Sequence, residues 1–228
     1  MIKNIFLDID DTLLDFRRAE ANAIRKTFDE MGVEPTEEMI ERYSAVNLSQ
    51  WKKLELGLIT RERLLTERFE LLYAELGLKL SSKKTQSLYE GYLSREAYFI
   101  DGAQELLDAL YGSYRLFIAS NGTARVQKGR IGITGIEKYF DGIFISERVG
   151  FDKPSKEYFD ACFAQIPGFE RGESIIVGDS LSSDIRGGIN AGIKTCWYNP
   201  KGELCGEDTV PDFEIRSLSE LPALLIRI

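Results

Sequence analysis

Three carboxylates stand within four residues near the start of the chain. Asp8, Asp10 and Asp11 follow directly on the apolar run Ile5-Phe6-Leu7. That run is too short for a helix and reads as a buried strand. Residues i and i+2 of an extended chain project to the same side, so Asp8 and Asp10 share one side just past the strand. Two like charges so placed repel, and one takes up a proton unless a cation neutralises the pair. Carboxylates gathered at a strand's carboxyl end suit metal binding or acid–base chemistry, although a lone D-x-D is more often an acidic surface turn. Further polar groups recur along the chain: Ser120-Asn121-Gly122, Lys153-Pro154, Gly178-Asp179-Ser180, and Asp184 five residues beyond Asp179. Each alone has a plain reading as turn chemistry, a solvated lysine or a helix-surface charge.

The elements that must carry these residues decide between the readings. The segments Tyr114–Ala119, Gly142–Ser146, Ser174–Val177 and Lys194–Trp197 read as further strands, with a short one near Phe213–Ile215. Helical patterns separate them, near 103–110, 123–131, 155–165 and 182–191, and a last helix starts near Ser219. Strands alternating with helices predict a parallel sheet covered on both faces. Residues 17–98 break the alternation and read as four helices. The first carries Ala19, Ala23, Ile24 and Phe28 and ends at Gly32. The second is capped by Thr36 and extends to about Leu48; the third starts near Thr60, and the fourth is capped by Ser81. The expected fold class is therefore α/β, a doubly wound, Rossmann-like parallel sheet with an inserted all-helical domain. Residues 1–16 and 99–228 form its core and 17–98 the insert. Ligands of such sheets bind beyond the carboxyl ends of the strands, and each polar cluster above follows a strand. Turns alone have no reason to bring one set of charges to one rim.

Composition narrows the chemistry. The 228 residues carry a net charge of −8 with no Lys/Arg-rich run, which excludes a nucleic acid polymer as the expected partner. No apolar stretch reaches the roughly 18–20 residues of a membrane-spanning helix, and the start lacks an export signal, so a cytoplasmic location is expected. Cys162, Cys196 and Cys205 show no C-x-x-C spacing, so neither a disulfide framework nor a zinc site is indicated. There is no histidine, which excludes Ser-His-Asp and Cys-His catalysis. Carboxylates, Lys and hydroxyls remain, together with an oxygen-preferring metal. Asp8, Asp10, Asp179 and Asp184 sum to −4 when ionised, and Lys153 offsets one unit. A phosphate ester would be repelled, so Mg²⁺ is expected as an obligatory cofactor. Asp8 is then best placed as nucleophile on phosphorus, with Asp10 as general acid and base. Ser120, with the amides of Asn121 and Gly122, would hold phosphoryl oxygens, and Lys153 would shield their charge. Asp179 would be a metal ligand and Asp184 a ligand or an anchor behind one.

The order D-x-D-x-T, S-N-G, D-K-P and G-D-S-x-x-x-D-x-x-G resembles the four motifs of the haloacid dehalogenase-like hydrolase superfamily, and the helical insert resembles its small-cap subgroup. The resemblance implies an aspartyl-phosphate on Asp8 and Mg²⁺ held by Asp8, the carbonyl of Asp10, and Asp179. The dehalogenase branch lacks the second aspartate that Asp10 supplies here. Ala45-Val46-Asn47-x-x-x-Trp51, Gly57-x-Ile59-Thr60, Ser146-Glu147-x-Val149-Gly150, Gly187-Gly188-Ile189-Asn190-Ala191-Gly192 and Thr195-Cys196-Trp197-x-Asn199 are similar to the pyrimidine 5′-nucleotidase group. That implies pyrimidine nucleoside monophosphates as substrates. Asn47 could meet a base edge and Trp51 a base face; packing within the insert is the alternative for both. Ser120 stands where many relatives have Thr, and Asp11 where many have Gly. A phosphatase or mutase for a sugar phosphate or phosphoglycolate would use the same catalytic residues. A phospho-accepting receiver module would lack the long insert, and a binding protein with a vestigial site would not need the full set of polar residues. Monomer and homodimer are both compatible with the sequence.

Overall fold

The computed structural model describes residues 1–206 and 208–228. Six strands, β1 (Asn4–Leu7), β2 (Arg115–Ser120), β3 (Gly142–Ile145), β4 (Ser174–Gly178), β5 (Lys194–Tyr198) and β6 (Phe213–Ile215), make one sheet of order β3-β2-β1-β4-β5-β6. Every pairing is parallel. The order reverses direction at β1, so β1 lies between β2 and β4 at the switch point where such sheets take their ligands. Leu7 is level with Ile118 on one side and Val177 on the other, so β1, β2 and β4 end at nearly the same height.

The connecting helices are α1 (Phe16–Glu30), α2 (Glu37–Glu55), α3 (Arg61–Leu76), α4 (Ser82–Leu93), α5 (Ala103–Leu110), α6 (Ala124–Thr134), α7 (Ser146–Val149), α8 (Lys156–Phe163), α9 (Arg186–Ala191) and α10 (Leu221–Leu225). The α/β architecture with a helical insert is the one the alternation predicts. Three local departures have physical causes. The second helix continues to Glu55, well beyond Leu48, because its buried stripe runs on through polar residues, Asn47 and Gln50, to Leu54. A one-turn helix, α7, begins at Ser146 where the strand stops. The segment read as one helix over 182–191 opens with a π-turn at Leu181–Ile185, in which the Ile185 amide reaches back to the Ser180 carbonyl at 3.1 Å. Such wide turns recur at functional sites.

The chain divides into two compact units. Met1–Asp15, Phe99–Ala124 and Thr134–Ile228 form the sheet unit. Its β-strands bury Phe6, Phe117 and Phe144 against Tyr158, Phe159 and Phe163 of α8, with Phe6 stacked on Phe117 at 5.1 Å between centroids. Phe16–Tyr98 with Arg125–Ile133 form the helical unit. Its core joins Ala19, Ala23, Ile24 and Phe28 of α1 to Tyr43, Phe69, Leu72 and Tyr89. Thr36, Thr60 and Ser81 cap α2, α3 and α4 by accepting a backbone N–H three residues on. Most of α6 belongs to this unit because Arg130 is fully buried and donates through Nε to the Glu96 carbonyl. Gly129 permits that approach, since a Cβ there would stand 2.2 Å from the Ser94 carbonyl oxygen. No helix among the described residues is long and apolar enough to cross a membrane.

Candidate active site

The switch point gathers the charged residues. Asp8 follows β1 directly, and its amide donates to the Val177 carbonyl of β4 at 3.0 Å. Asp179 follows β4, and Asp184 lies in the π-turn beyond it. Asp8, Asp179 and Asp184 each present a carboxylate oxygen, and the three oxygens lie within 4.8 Å of one another. Asp8 and Asp184 are buried.

Lys153 enters this cluster from the loop after α7. Only 1% of the residue is exposed, and its Nζ donates to Asp8 Oδ1 at 2.7 Å, Asp184 Oδ1 at 2.6 Å and the Ala119 carbonyl at 2.6 Å. An ammonium has three hydrogens to give, and all three are placed. Burial alone would lower the Lys153 pKa, but the charges of Asp184 and Asp8 and the bonds to both hold it above its ordinary value. For Asp8 burial dominates and pushes the carboxyl up; Lys153 draws it down, while Asp184 and Asp10 push it up again. Asp179 is also raised, by burial first and then by Asp184, Asp8 and Asp11. The three carboxylates less one ammonium leave two uncompensated negative charges when ionised. A divalent cation with a preference for oxygen matches both the charge and the donor set.

The surrounding residues hold these groups in place. Thr12 Oγ1 accepts from the Asp179 amide at 3.1 Å, and Trp197 Nε1 donates to the Asp179 carbonyl at 2.8 Å. Asp184 Oδ2 accepts from the Ser180 amide at 3.1 Å. Gly178 makes room for it, because a Cβ there would stand 2.2 Å from Asp184 Oδ2. Asn121 clamps the lysine loop: its Nδ2 donates to the Lys153 carbonyl and its Oδ1 accepts from the Lys153 amide, both at 2.8 Å. The Asn121 side chain thus orients Lys153, a role not read from the S-N-G motif. Ser120 ends β2 fully buried and its Oγ accepts from the Gly122 amide at 3.1 Å.

Asp10 lies in the turn after β1, where Leu13 and Leu14 donate to the Ile9 carbonyl and the Asp11 amide donates to the Leu14 carbonyl. Asp11 has φ of 57°, the left-handed region that favours glycine. This explains why a glycine would serve equally well there. The cysteines form no disulfide; Cys162 and Cys196 are buried and Cys205 is exposed.

Asn47 and Trp51 belong to the helical unit. Asn47 is 2% exposed; its Nδ2 donates to Glu20 Oε1 at 2.6 Å and its Oδ1 accepts from Arg68 Nη1 at 2.7 Å. The Arg61 guanidinium lies 5.5 Å from the centroid of the half-buried Trp51 ring. The sequence reading passed over Glu20, Arg68 and Gln50. Glu20 sits on the buried stripe of α1 beside Ala19, Ala23 and Ile24, and a carboxylate on an apolar stripe is the signal that could have marked it.

The model of the family "Haloacid dehalogenase-like hydrolase" matches residues 5–198. HAD-hydrolase YfnB of Bacillus subtilis is 37% identical over 98% of this chain and 95% of its own length. Pyrimidine 5′-nucleotidase PynA of Streptococcus pneumoniae is 36% identical over 96% and 93%, and pyrimidine 5′-nucleotidase YjjG of Escherichia coli 35% over 98% and 97%. A crystal structure of YfnB bound to magnesium, which reveals interdomain movement, superposes with a TM-score of 0.94 over 98% of each chain. The L-2-haloacid dehalogenase of Xanthobacter autotrophicus shares the fold at 18% identity, with a TM-score of 0.78 over 99% of each chain.

Proposed function

This chain belongs to the haloacid dehalogenase-like hydrolases, and we propose that it is a Mg²⁺-dependent phosphatase acting through an aspartyl-phosphate, with pyrimidine nucleoside 5′-monophosphates as its substrates. The observation that carries the reading is the carboxylate triad of Asp8, Asp179 and Asp184 with Lys153 bonded to two of its members. Asp8, Asp179 and Asp184, with the carbonyl of Asp10, would hold Mg²⁺. Bound there, the cation would neutralise the carboxylates and draw in the phosphoryl group.

Lys153 holds Asp8 through Oδ1, so attack on phosphorus is assigned to Oδ2. The new bond joins Asp8 Oδ2 to phosphorus as the ester P–O bond breaks. The bonding pair leaves with the nucleoside 5′-oxygen, which takes a proton from the Asp10 carboxyl. Asp10, now ionised, removes a proton from water. The water oxygen attacks phosphorus and releases Asp8 and inorganic phosphate. Ser120 and the amides of Asn121 and Gly122 bind phosphoryl oxygens, and Lys153 offsets the charge on them.

The pyrimidine preference is supported by the likeness to PynA and YjjG along nearly the whole chain. Phosphate release from nucleoside monophosphates and sugar phosphates, with Mg²⁺ and with EDTA, tests it. UMP, dUMP or dTMP should be the best substrates, and only with Mg²⁺. Higher turnover of a sugar phosphate or phosphoglycolate would reassign the substrate, and no turnover of any ester would overturn the reading.

A further inference from the structure

Trp197 takes part in no step of the reaction above, yet it touches the peptide on which two of the three carboxylates depend. It lies on β5 level with Gly178, the last residue of β4, and is 3% exposed. Its Nε1 donates to the Asp179 carbonyl at 2.8 Å. That carbonyl belongs to the peptide joining Asp179 to Ser180, whose other polar group, the Ser180 amide, donates to Asp184 Oδ2 at 3.1 Å. The peptide is trans, so its C=O and N–H point in opposite directions and one planar group is gripped at both ends. The indole holds one end and the Asp184 carboxylate the other. All of these residues belong to the sheet unit.

The same bond fixes Asp179. The peptide before it is held through the Asp179 amide, which donates to Thr12 Oγ1 at 3.1 Å. A residue has two soft backbone dihedrals, φ and ψ, one towards each neighbouring peptide plane. With both planes anchored neither dihedral turns, and the direction of the Asp179 Cα–Cβ bond is set. Asp184 gains in another way. A hydrogen bond accepted by a carbonyl polarises its peptide and strengthens what the N–H of that peptide donates. The bond from Trp197 therefore tightens the hold of the Ser180 amide on Asp184 Oδ2, while Lys153 holds Oδ1. Phenylalanine in place of Trp197 would keep an aromatic ring there and leave the Asp179 carbonyl without the indole donor.

We propose that Trp197 is a positioning residue of the metal site: through the Asp179–Ser180 peptide it aims the Asp179 and Asp184 carboxylates at the cation. The inference rests on the reading of the carboxylate triad as the Mg²⁺ site. In this role Trp197 touches neither cation nor substrate, so its loss is felt first in the affinity for the metal. A tryptophan present for packing alone would contribute to stability and leave that affinity unchanged.

Titration calorimetry with Mg²⁺ compares the full-length wild type, Trp197→Phe, Asp184→Asn and the double variant, and thermal melts in EDTA establish that each is folded. Trp197→Phe should weaken Mg²⁺ binding on the order of 10–100-fold, as loss of a group supporting a metal ligand does. The factor should shrink on the Asp184→Asn background, because part of the effect runs through Asp184. An unchanged Mg²⁺ affinity in Trp197→Phe overturns the proposal and leaves Trp197 as a packing residue, whatever its Tm. If Trp197→Phe does not fold, the unaltered side chain decides by NMR. The chain has two tryptophans, and Trp51→Phe assigns their two indole N–H signals. The Trp197 signal should move during the Mg²⁺ titration with the Kd found by calorimetry, and a signal that stays in place through saturation overturns the proposal. A wild type that binds no Mg²⁺ overturns the metal-site reading itself, which separates the two failures.

Discussion

Replacing Lys153 with methionine keeps most of the side-chain volume and removes the cation that Asp8 and Asp184 share. Both carboxylates are buried, and the lysine bonds them at 2.7 and 2.6 Å. Removing one partner of a buried ion pair typically costs about 3–5 kcal/mol, mostly through the charge left behind. For a chain of this size that is a fall in Tm of about 6–20 °C. The melt is run in EDTA, so that no cation substitutes for the lysine. Asp184→Asn on the Lys153→Met background removes one of the stranded charges and should recover part of the loss, which gives a non-additive double-mutant cycle. Mg²⁺ should also raise the Tm of Lys153→Met by more than that of the wild type. A Lys153→Met protein within about 1 kcal/mol of wild type, or a strictly additive cycle, would refute the assignment of Lys153 as the counter-charge of the triad.

Burial raises the pKa of both Asp8 and Asp179, so between the unfolded value of about 4 and the folded values the native state holds more protons than the unfolded chain. Stability in EDTA should therefore fall as pH rises above about 4, and the increment in Tm from Mg²⁺ should grow with pH; an increment that is flat across pH would contradict this. Gly178→Ala puts a Cβ 2.2 Å from Asp184 Oδ2 and must displace that carboxylate, so calorimetric Mg²⁺ affinity should drop on the order of 10–100-fold. Asn121→Ala removes both bonds to the Lys153 backbone and should lower kcat by about 10–100-fold with KM little changed, as steady-state kinetics would read.

The placement of polar residues at the sheet's end was legible because a strand's alternation and its parallel neighbours leave little freedom: Asp8, Ser120 and Asp179 stand at or directly after the ends of β1, β2 and β4. Placing Lys153 beside Asp8 was legible from motif order, but its third bond, to the Ala119 carbonyl, was not, because backbone acceptors carry no sequence signature. The helical unit was less legible for the opposite reason. Its stripes include Glu20, Asn47, Gln50 and Arg68, polar residues buried inside the bundle, so an apolar period fades where burial persists. The second helix was read as ending near Leu48 on that account. The grouping of Arg125–Ile133 with the insert was hidden too. It rests on the long reach of Arg130 to the Glu96 carbonyl and on the close approach at Gly129, neither of which a helical pattern reveals.

The most direct test of the account is to quench a single turnover of UMP in acid and to map the phosphoryl group by mass spectrometry. A transient adduct of one phosphoryl mass on the peptide carrying Asp8, lost in Asp8→Asn and absent with EDTA, is the predicted result. Turnover at the wild-type rate by Asp8→Asn, or a phosphoryl group trapped on another residue, would contradict it.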